Sequence, residues 1–378
     1  MLYKAGFSYL TVAMRKFFQW LLRKPVNWLA DKVSSRPDRE RVHTALSNLY
    51  KHIKENPGKK GLIIPLETNH RFIIFSDQHK GAKNGSDDFM MAEKNYLAAL
   101  DYYNQNNFHF ISLGDNEELW ENTLAAVKKN NIPSFEKEKL FLQRKVFTKI
   151  FGNHDLYWNN DPFAGWQLKK IYDEEVKIYE GVILQLLIDT IPLEIFLTHG
   201  HQGDGQSDGN KFSAWVVGAI WAPLQSYLNI NPNTPAVNNH LKTEHNRMMY
   251  EWSEMQKNLL LITGHTHQPV FGSLTHLEKL VQQLSSAIKE NNKEEQEKIE
   301  KEIAWRKNEY NNIEHLSRAT KPGYFNTGCC CFSDGDITGI EIADGMIRLI
   351  KWGYDIDKNS ERTVLEETSL SQLTARLN

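Results

Sequence analysis

Cysteine is almost missing from this chain. Its only three, among 378 residues, are Cys329, Cys330 and Cys331, side by side. Neighbouring strand residues point to opposite faces, so these cannot build a disulfide framework, and reducing, cytosol-type conditions suit the protein. Adjacent cysteines also lack the spacer of a zinc site, which leaves them as buried strand residues. No apolar run reaches the ~20 residues needed to span a bilayer. Excess positive charge is lacking too: the formal net charge is −2, so no basic field exists to hold a nucleic-acid backbone.

Two absences are local. Residues 1–30 hold Lys4, Arg15, Lys16, Arg23 and Lys24 but no acidic residue, interleaved with Phe7, Phe17, Phe18, Trp20 and Trp28. The uncharged run 5–14 is too polar for a signal peptide, and no cleavage site follows it. Such a segment could lie in a membrane interface or dock as a helix on the protein's own body. The second absence is of any Lys, Arg, Asp or Glu from Phe212 to Leu241.

Breaks at Ser34–Pro37 and Asn56–Gly58 enclose a helix over 39–54, so 1–60 reads as an N-terminal helical extension. From there to about 275, strands alternate with helices. Apolar runs at 71–76, 108–113, 145–151, 182–188, 193–198 and 259–263 predict strands, and Phe89–Tyr103 and Gly165–Lys177 predict helices. This alternation predicts an α/β layered fold. Leu277, Leu280, Leu284 and Ile288, then Ile299, Ile303, Tyr310 and Ile313, predict a helical hairpin inserted at 274–317. Strands at 324–329 and 337–352, with a turn at Ala343-Asp344-Gly345, complete a body spanning 61–354, and 355–378 reads as a loose polar tail.

Five of the strands end in polar clusters. They run into Asp77-Gln78-His79, Gly114-Asp115-Asn116, Gly152-Asn153-His154-Asp155, His199-Gly200-His201 and Gly264-His265-Thr266-His267. Ligands of open α/β sheets bind outside the strands' carboxyl ends, so all five can converge on one site. Imidazoles, carboxylates and an amide oxygen suit manganese, iron, zinc or cobalt. Seven or so ligands exceed the four of one zinc site and fit two ions, an arrangement that clamps both oxygens of an in-line displacement. A lone Asp-x-His or Gly-Asn-His is more often structural than functional. Five in order, each at a strand end, are a site.

This ordered set, DQH, GDNEE, GNHD, THGH and GHTH, resembles the calcineurin-like metallophosphoesterases over residues 77–267. The resemblance implies a four-layer sandwich of two mixed sheets flanked by helices. It also implies metal-dependent hydrolysis of a phosphate ester or anhydride by a hydroxide bridging two divalent ions, manganese first among them. Asp77, His79 and His267 would hold the first ion, Asp115 would bridge, and Asn153, His199 and His265 would hold the second. His154 would face the phosphate and protonate the leaving group, oriented by Asp155. His201 would support a ligand or contact substrate.

The stretch 212–228, with Phe212, Trp215, Val216, Ile220, Trp221 and Leu224, reads either as a buried core helix or as an apolar cap (212–241) able to receive an acyl chain or the membrane surface. With the basic first segment and the Gly-Asp-x-x-Glu-x-Trp form at Gly114 to Trp120, it is similar to the UDP-2,3-diacylglucosamine pyrophosphatases. Those usually carry Gly-Asn-Arg-Asp where this chain has His154, His-Gly-Asp where it has His201, and no long hairpin. The expected substrate is a phosphorylated small molecule, nucleotide-type or lipid-linked, and the expected place is the cytoplasm, with peripheral contact at the inner membrane surface through 1–30 and 212–228. A Ser/Thr protein phosphatase of the same superfamily would carry arginines beside Asn116 and Asp155, which are lacking here. A non-catalytic scaffold would lack ligands, and none is missing.

Overall fold

The computed structural model describes residues 38–67, 69–84, 87–188, 190–203, 239–289, 292–307 and 321–377. Segments 1–30, 212–228 and 308–317 lie outside the described residues, so the membrane-facing expectations find no test there. Among the described residues no helix is long and apolar enough to cross a membrane.

The first described helix, Arg39–Glu55, is capped by the Asp38 side chain, which accepts from the Arg41 N–H. Strands follow as β1 (Gly61–Pro65), β2 (Phe72–Phe75), β3 (His109–Leu113), β4 (Phe147–Ile150), β5 (Ile178–Tyr179), β6 (Gly181–Ile188), β7 (Ile191–Thr198), β8 (Leu259–Thr263), β9 (Val270–Phe271), β10 (Leu274–Thr275), β11 (Tyr324–Asn326), β12 (Ile337–Ala343), β13 (Met346–Tyr354) and β14 (Ser360–Ser369). They form two mixed seven-stranded sheets, ordered β1-β6-β7-β8-β11-β9-β10 and β14-β13-β12-β2-β3-β4-β5.

The period of two along each strand builds the layers. Phe72 and Ile74 of β2 enter the core between the sheets, together with Ile111, Leu113, Leu184, Ile195, Leu197, Leu260 and Ile262. Their neighbours Ile73 and Phe75 face the other way, onto Phe89, Tyr96 and Tyr103 of the helix Phe89–Gln105. On the second sheet Ile183, Phe196 and Leu261 pack outward on Val42, Leu46 and Ile53 of the first helix and on Trp252 of the helix Asn239–Glu254. Strands buried on both faces read as continuous apolar runs, which is why β2, β3 and β8 stand out in the sequence. Each such side chain contributes about 1.5–3 kcal/mol of burial. The four-layer expectation holds.

Three expectations are corrected. The tail beyond Asp355 is not loose: β14 pairs antiparallel with β13 along its whole length, and the helix Leu370–Leu377 buries Leu370, Leu373 and Leu377 in the inter-sheet core. As an edge strand, β14 shows charged side chains to solvent, so its composition looks like coil. The hairpin helices His276–Lys289 and Lys293–Lys307 exist, with Leu280, Leu284, Ala287, Ile299 and Ile303 between them, but Ile288 turns outward, 56% exposed. Strand β11 stops at Asn326, so the cysteines sit in the loop beyond it rather than in a strand.

Candidate metal centre

In the first sheet to carry motifs, β2, β3 and β4 are parallel; in the other, β7, β8 and β11 are parallel. Their carboxyl ends open onto one place, and backbone bonds extend the pairing into the loops. Asp77 N donates to Gly114 O (3.0 Å), His79 N to Asp115 O (2.9 Å) and Gly264 N to His199 O (3.0 Å). The sheets are joined across the site where His265 N–H donates to the Asp77 carboxylate at 3.0 Å.

The loops are bent unusually to present these side chains. Asp77 (φ 52°), His79 (50°), Asp115 (51°), His265 (70°) and His267 (56°) all adopt left-handed backbone. None is glycine, and such conformations cost of order 1–3 kcal/mol each, held in place by the packing around them. Of the glycines in the five motifs, Gly152 permits the closest approach, to the Asp115 carboxylate. A Cβ there would lie 2.6 Å from Asp115 N and 2.7 Å from the His199 ring. Gly152→Ala is therefore expected to push those ligands apart and lower metal affinity ~10-fold or more, as loss of ligand support does. Metal retained after gel filtration measures it, and wild-type retention would show that the loops can part without harm.

Six of the seven sequence-predicted metal ligands lie within reach of one another here, and the seventh, Asn153, immediately precedes His154, whose backbone N–H donates to Asp115. Asp115 Oδ2 stands 3.9 Å from His79 Nε2 and 3.1 Å from His199 Nε2, between the two groups. On one side His79 Nε2 and His267 Nε2 face each other at 3.1 Å, with Asp77 Oδ1 3.2 Å from the latter. On the other side His199 Nε2 and His265 Nε2 are buried without a hydrogen-bond partner, and Asn153 Oδ1 in the β4 loop is buried and unpartnered too. For His199 Nε2, the 3.1 Å approach to Asp115 is close but lacks hydrogen-bond geometry. Orphaned lone pairs this deep are unfavourable unless a cation takes them. The outer nitrogens are fixed: His199 Nδ1 bonds Leu113 O (2.9 Å) and His79 Nδ1 bonds Glu118 Oε2 (2.9 Å), leaving each Nε2 lone pair for an ion.

The electrostatics agree. Burial works to raise the carboxyls of Asp77 and Asp115, but the imidazoles overcome it, His199 first in both cases, and hold them below the usual carboxylate range. Burial works against a proton on His199 too, yet Asp115 and Asp77 raise it to about 9. Buried carboxylates that draw protons onto imidazoles attract a metal cation in the same way. His265, by contrast, is lowered by burial and then by His245 and His199, and stays neutral, as a ligand must.

His154 and Asp155 part company. The Asp155 carboxylate accepts from Gly152 N (2.5 Å) and from Asn116 N (2.8 Å) and Nδ2 (3.0 Å), so it ties the β3 and β4 loops together and does not orient His154. Burial, then Glu117 and Asp115, pushes it up to about 6. The partner of His154 is Glu118: Nδ1 lies 2.7 Å from Oε2, and the ring stacks on Trp120 at 4.1 Å and 20°. Sequence reasoning passed over Glu118, although the Gly114–Trp120 motif contained it. His201 is 4% exposed, beside the rings of His199 (5.4 Å) and Phe151 (5.9 Å), and burial lowers it to about 3. Its Nδ1 is buried without a hydrogen-bond partner.

No protein-family model and no curated protein sequence matches the chain. Among solved structures it is similar to vacuolar protein sorting 29 from Cryptosporidium parvum (11% identity, 80% of this chain and 100% of that one, TM-score 0.31). It is also similar to a dimetal phosphatase from Danio rerio (8%, 79% and 100%, TM-score 0.36) and to a putative 5'-nucleotidase from Staphylococcus aureus (12%, 80% and 54%, TM-score 0.31). These are likenesses of outline, and the chemistry is read from this chain's own side chains.

Proposed function

We propose that this chain is a dinuclear-metal phosphoesterase that hydrolyses a phosphate ester or pyrophosphate bond, resembling the calcineurin-like superfamily in motif order and in its paired sheets. The observation that carries the reading is the convergence of five strand ends on two ligand groups that share Asp115. Asp77, His79 and His267 would hold one ion, and Asn153, His199 and His265 the other. When bound, the ions would acidify water and neutralise phosphate charge.

The remaining work falls to side chains. Glu118 fixes the His154 tautomer: with Nδ1–H on the carboxylate, Nε2 is directed away from it, and the side chain is 16% exposed. Burial would raise the Glu118 carboxyl, but His154 and His79 hold it down to about 2, so it stays anionic and keeps its contact with His154 Nδ1. With a second proton on Nε2, the ring would stabilise the phosphate oxygens and give that proton to the leaving-group oxygen as the P–O bond breaks. Trp120 keeps the ring from rotating.

His154→Ala is expected to keep both metals and lose ~10²-fold or more in kcat. Glu118→Gln differs, because the same oxygen supports His79: turnover and metal affinity should fall together. Normal metal content and turnover in Glu118→Gln would remove the shared role.

The deciding test is hydrolysis of bis-p-nitrophenyl phosphate by protein reconstituted with manganese, then abolished by chelation. Two bound ions with no turnover would count against a phosphoesterase. A lipid-linked substrate is supported by the uncharged run 212–228 and the basic segment 1–30. Sedimentation with anionic liposomes, lost on deletion of 1–30, tests that part.

A further inference from the structure

Each imidazole that is to hold an ion through one nitrogen needs its other nitrogen anchored, or the ring rotates and its tautomer drifts. His79 has Glu118 for this, and His199 has the Leu113 carbonyl, each at 2.9 Å. At the corresponding place His267 meets sulfur: its Nδ1 lies 3.7 Å from Cys331 Sγ. Its Nε2 is the nitrogen turned toward His79 and Asp77, at 3.1 and 3.2 Å. Were the Nε2 lone pair given to an ion, the ring proton would sit on Nδ1 and be donated outward to the thiol sulfur.

The loop is built to hold that sulfur still. Thr327 N donates to Thr263 O at 2.9 Å and Cys330 N to Asp77 O at 3.1 Å, so the chain leaving β11 is tied both to the strand before the GHTH motif and to the first motif itself. Cys329 and Cys331 stay together, in contact with each other and with His267, and only Cys330 parts from them. Cys330 turns into the aromatic cluster beneath β2 and lies 3.9 Å from the Thr338 carbonyl, while Cys329 and Cys331 neighbour the His267 imidazole.

We infer that Cys331 is a positioning residue: its sulfur accepts the His267 Nδ1–H, fixes that ring, and so sets the affinity of the metal position formed by Asp77, His79 and His267. This rests on the dinuclear reading above. Cys331 lies near enough to His79 and His267 to be considered a ligand itself. Its sulfur, however, meets the nitrogen that faces away from the other donors, which makes it an anchor and not a member of the set.

The test is manganese alone, titrated into wild type, Cys331→Ala and Cys331→Ser, with free metal read by electron paramagnetic resonance. Cys331→Ala should weaken one of two manganese ions ~10-fold or more and leave the other unchanged. Cys331→Ser, which keeps an acceptor, should recover most of the loss, and thermal midpoints without metal should agree across all three. Wild-type affinity in Cys331→Ala overturns the inference. So does equal weakening in both variants with a lowered metal-free midpoint, which is the mark of a packing role. A thiolate-to-metal charge-transfer band in cobalt-substituted wild type, absent from Cys331→Ala, would make Cys331 a ligand and overturn it also. A wild type that binds no manganese would sink the dinuclear reading, and this with it.

Discussion

Replacing Asp115 with alanine should strip the protein of both metals and lower turnover on the order of 10³-fold or more, beyond the 10²–10³ that one electrostatic contact supplies. The reason is position. Oδ2 lies 3.9 Å from His79 Nε2 and 3.1 Å from His199 Nε2, so one carboxylate serves both ligand groups. Its other oxygen accepts the His154 backbone N–H at 2.8 Å, which ties the β4 loop to the same residue. Asp77→Ala, lacking that shared position, should cost one ion before the other. Elemental analysis after gel filtration, paired with turnover on bis-p-nitrophenyl phosphate, checks both. Full metal loading with retained activity in Asp115→Ala would remove the shared-ligand assignment.

The second large effect is on stability, just beneath the site. Lys80 Nζ lies 2.5 Å from Glu138 and 3.2 Å from Glu117, and Lys149 Nζ lies 2.9 Å from Glu117, all four side chains being fully buried. Tyr96 and Tyr172 donate to Glu138 at 2.9 and 2.6 Å, and Trp158 Nε1 to Glu117 at 2.7 Å. A buried pair is not in itself strongly stabilising, since desolvation offsets most of the attraction. Breaking one is different, because a charge is stranded, at about 3–5 kcal/mol. Lys80→Met should therefore lower the unfolding free energy by an amount of that order, read as a lower urea midpoint at constant slope, and Lys80→Met with Glu138→Gln should recover part of it. A loss under 1 kcal/mol would mean that Lys149 and the hydroxyls suffice. The pH dependence has a definite sign. Burial works to raise Glu117, but Lys149 and Lys80 hold it down to about 2 from 4.5. Its contribution is thus complete above about 4.5 and fades as pH falls toward about 2. Lys80 also follows His79 and bridges to Glu117, two residues after Asp115, so metal loading should drop with stability.

The strands that carry the motifs were legible because burial on both faces demands unbroken apolar runs, and the polar clusters at their ends interrupt those runs abruptly. Phe72–Phe75 followed by Asp77 and His79 is such a case. The strand β14 was not legible, because an edge strand with a solvated face has the composition of a loop. Ile288 misled for a related reason: on a short two-helix hairpin only a narrow stripe is covered, and Ala287 fills it.

From the residues alone came the α/β layering, the five motifs and the ligand types, since these depend on local periodicity and on the chemistry of His, Asp and Asn. Partnership did not. Which carboxylate holds His154, Glu118 and not the adjacent Asp155, was decided by the turn at Gly152, which directs Asp155 back onto backbone N–H groups. That Cys331 backs His267 was likewise settled by the register of β11 beside β8. Second contacts of this kind join residues far apart in the chain, and only the packing of one sheet on the other brings them within reach.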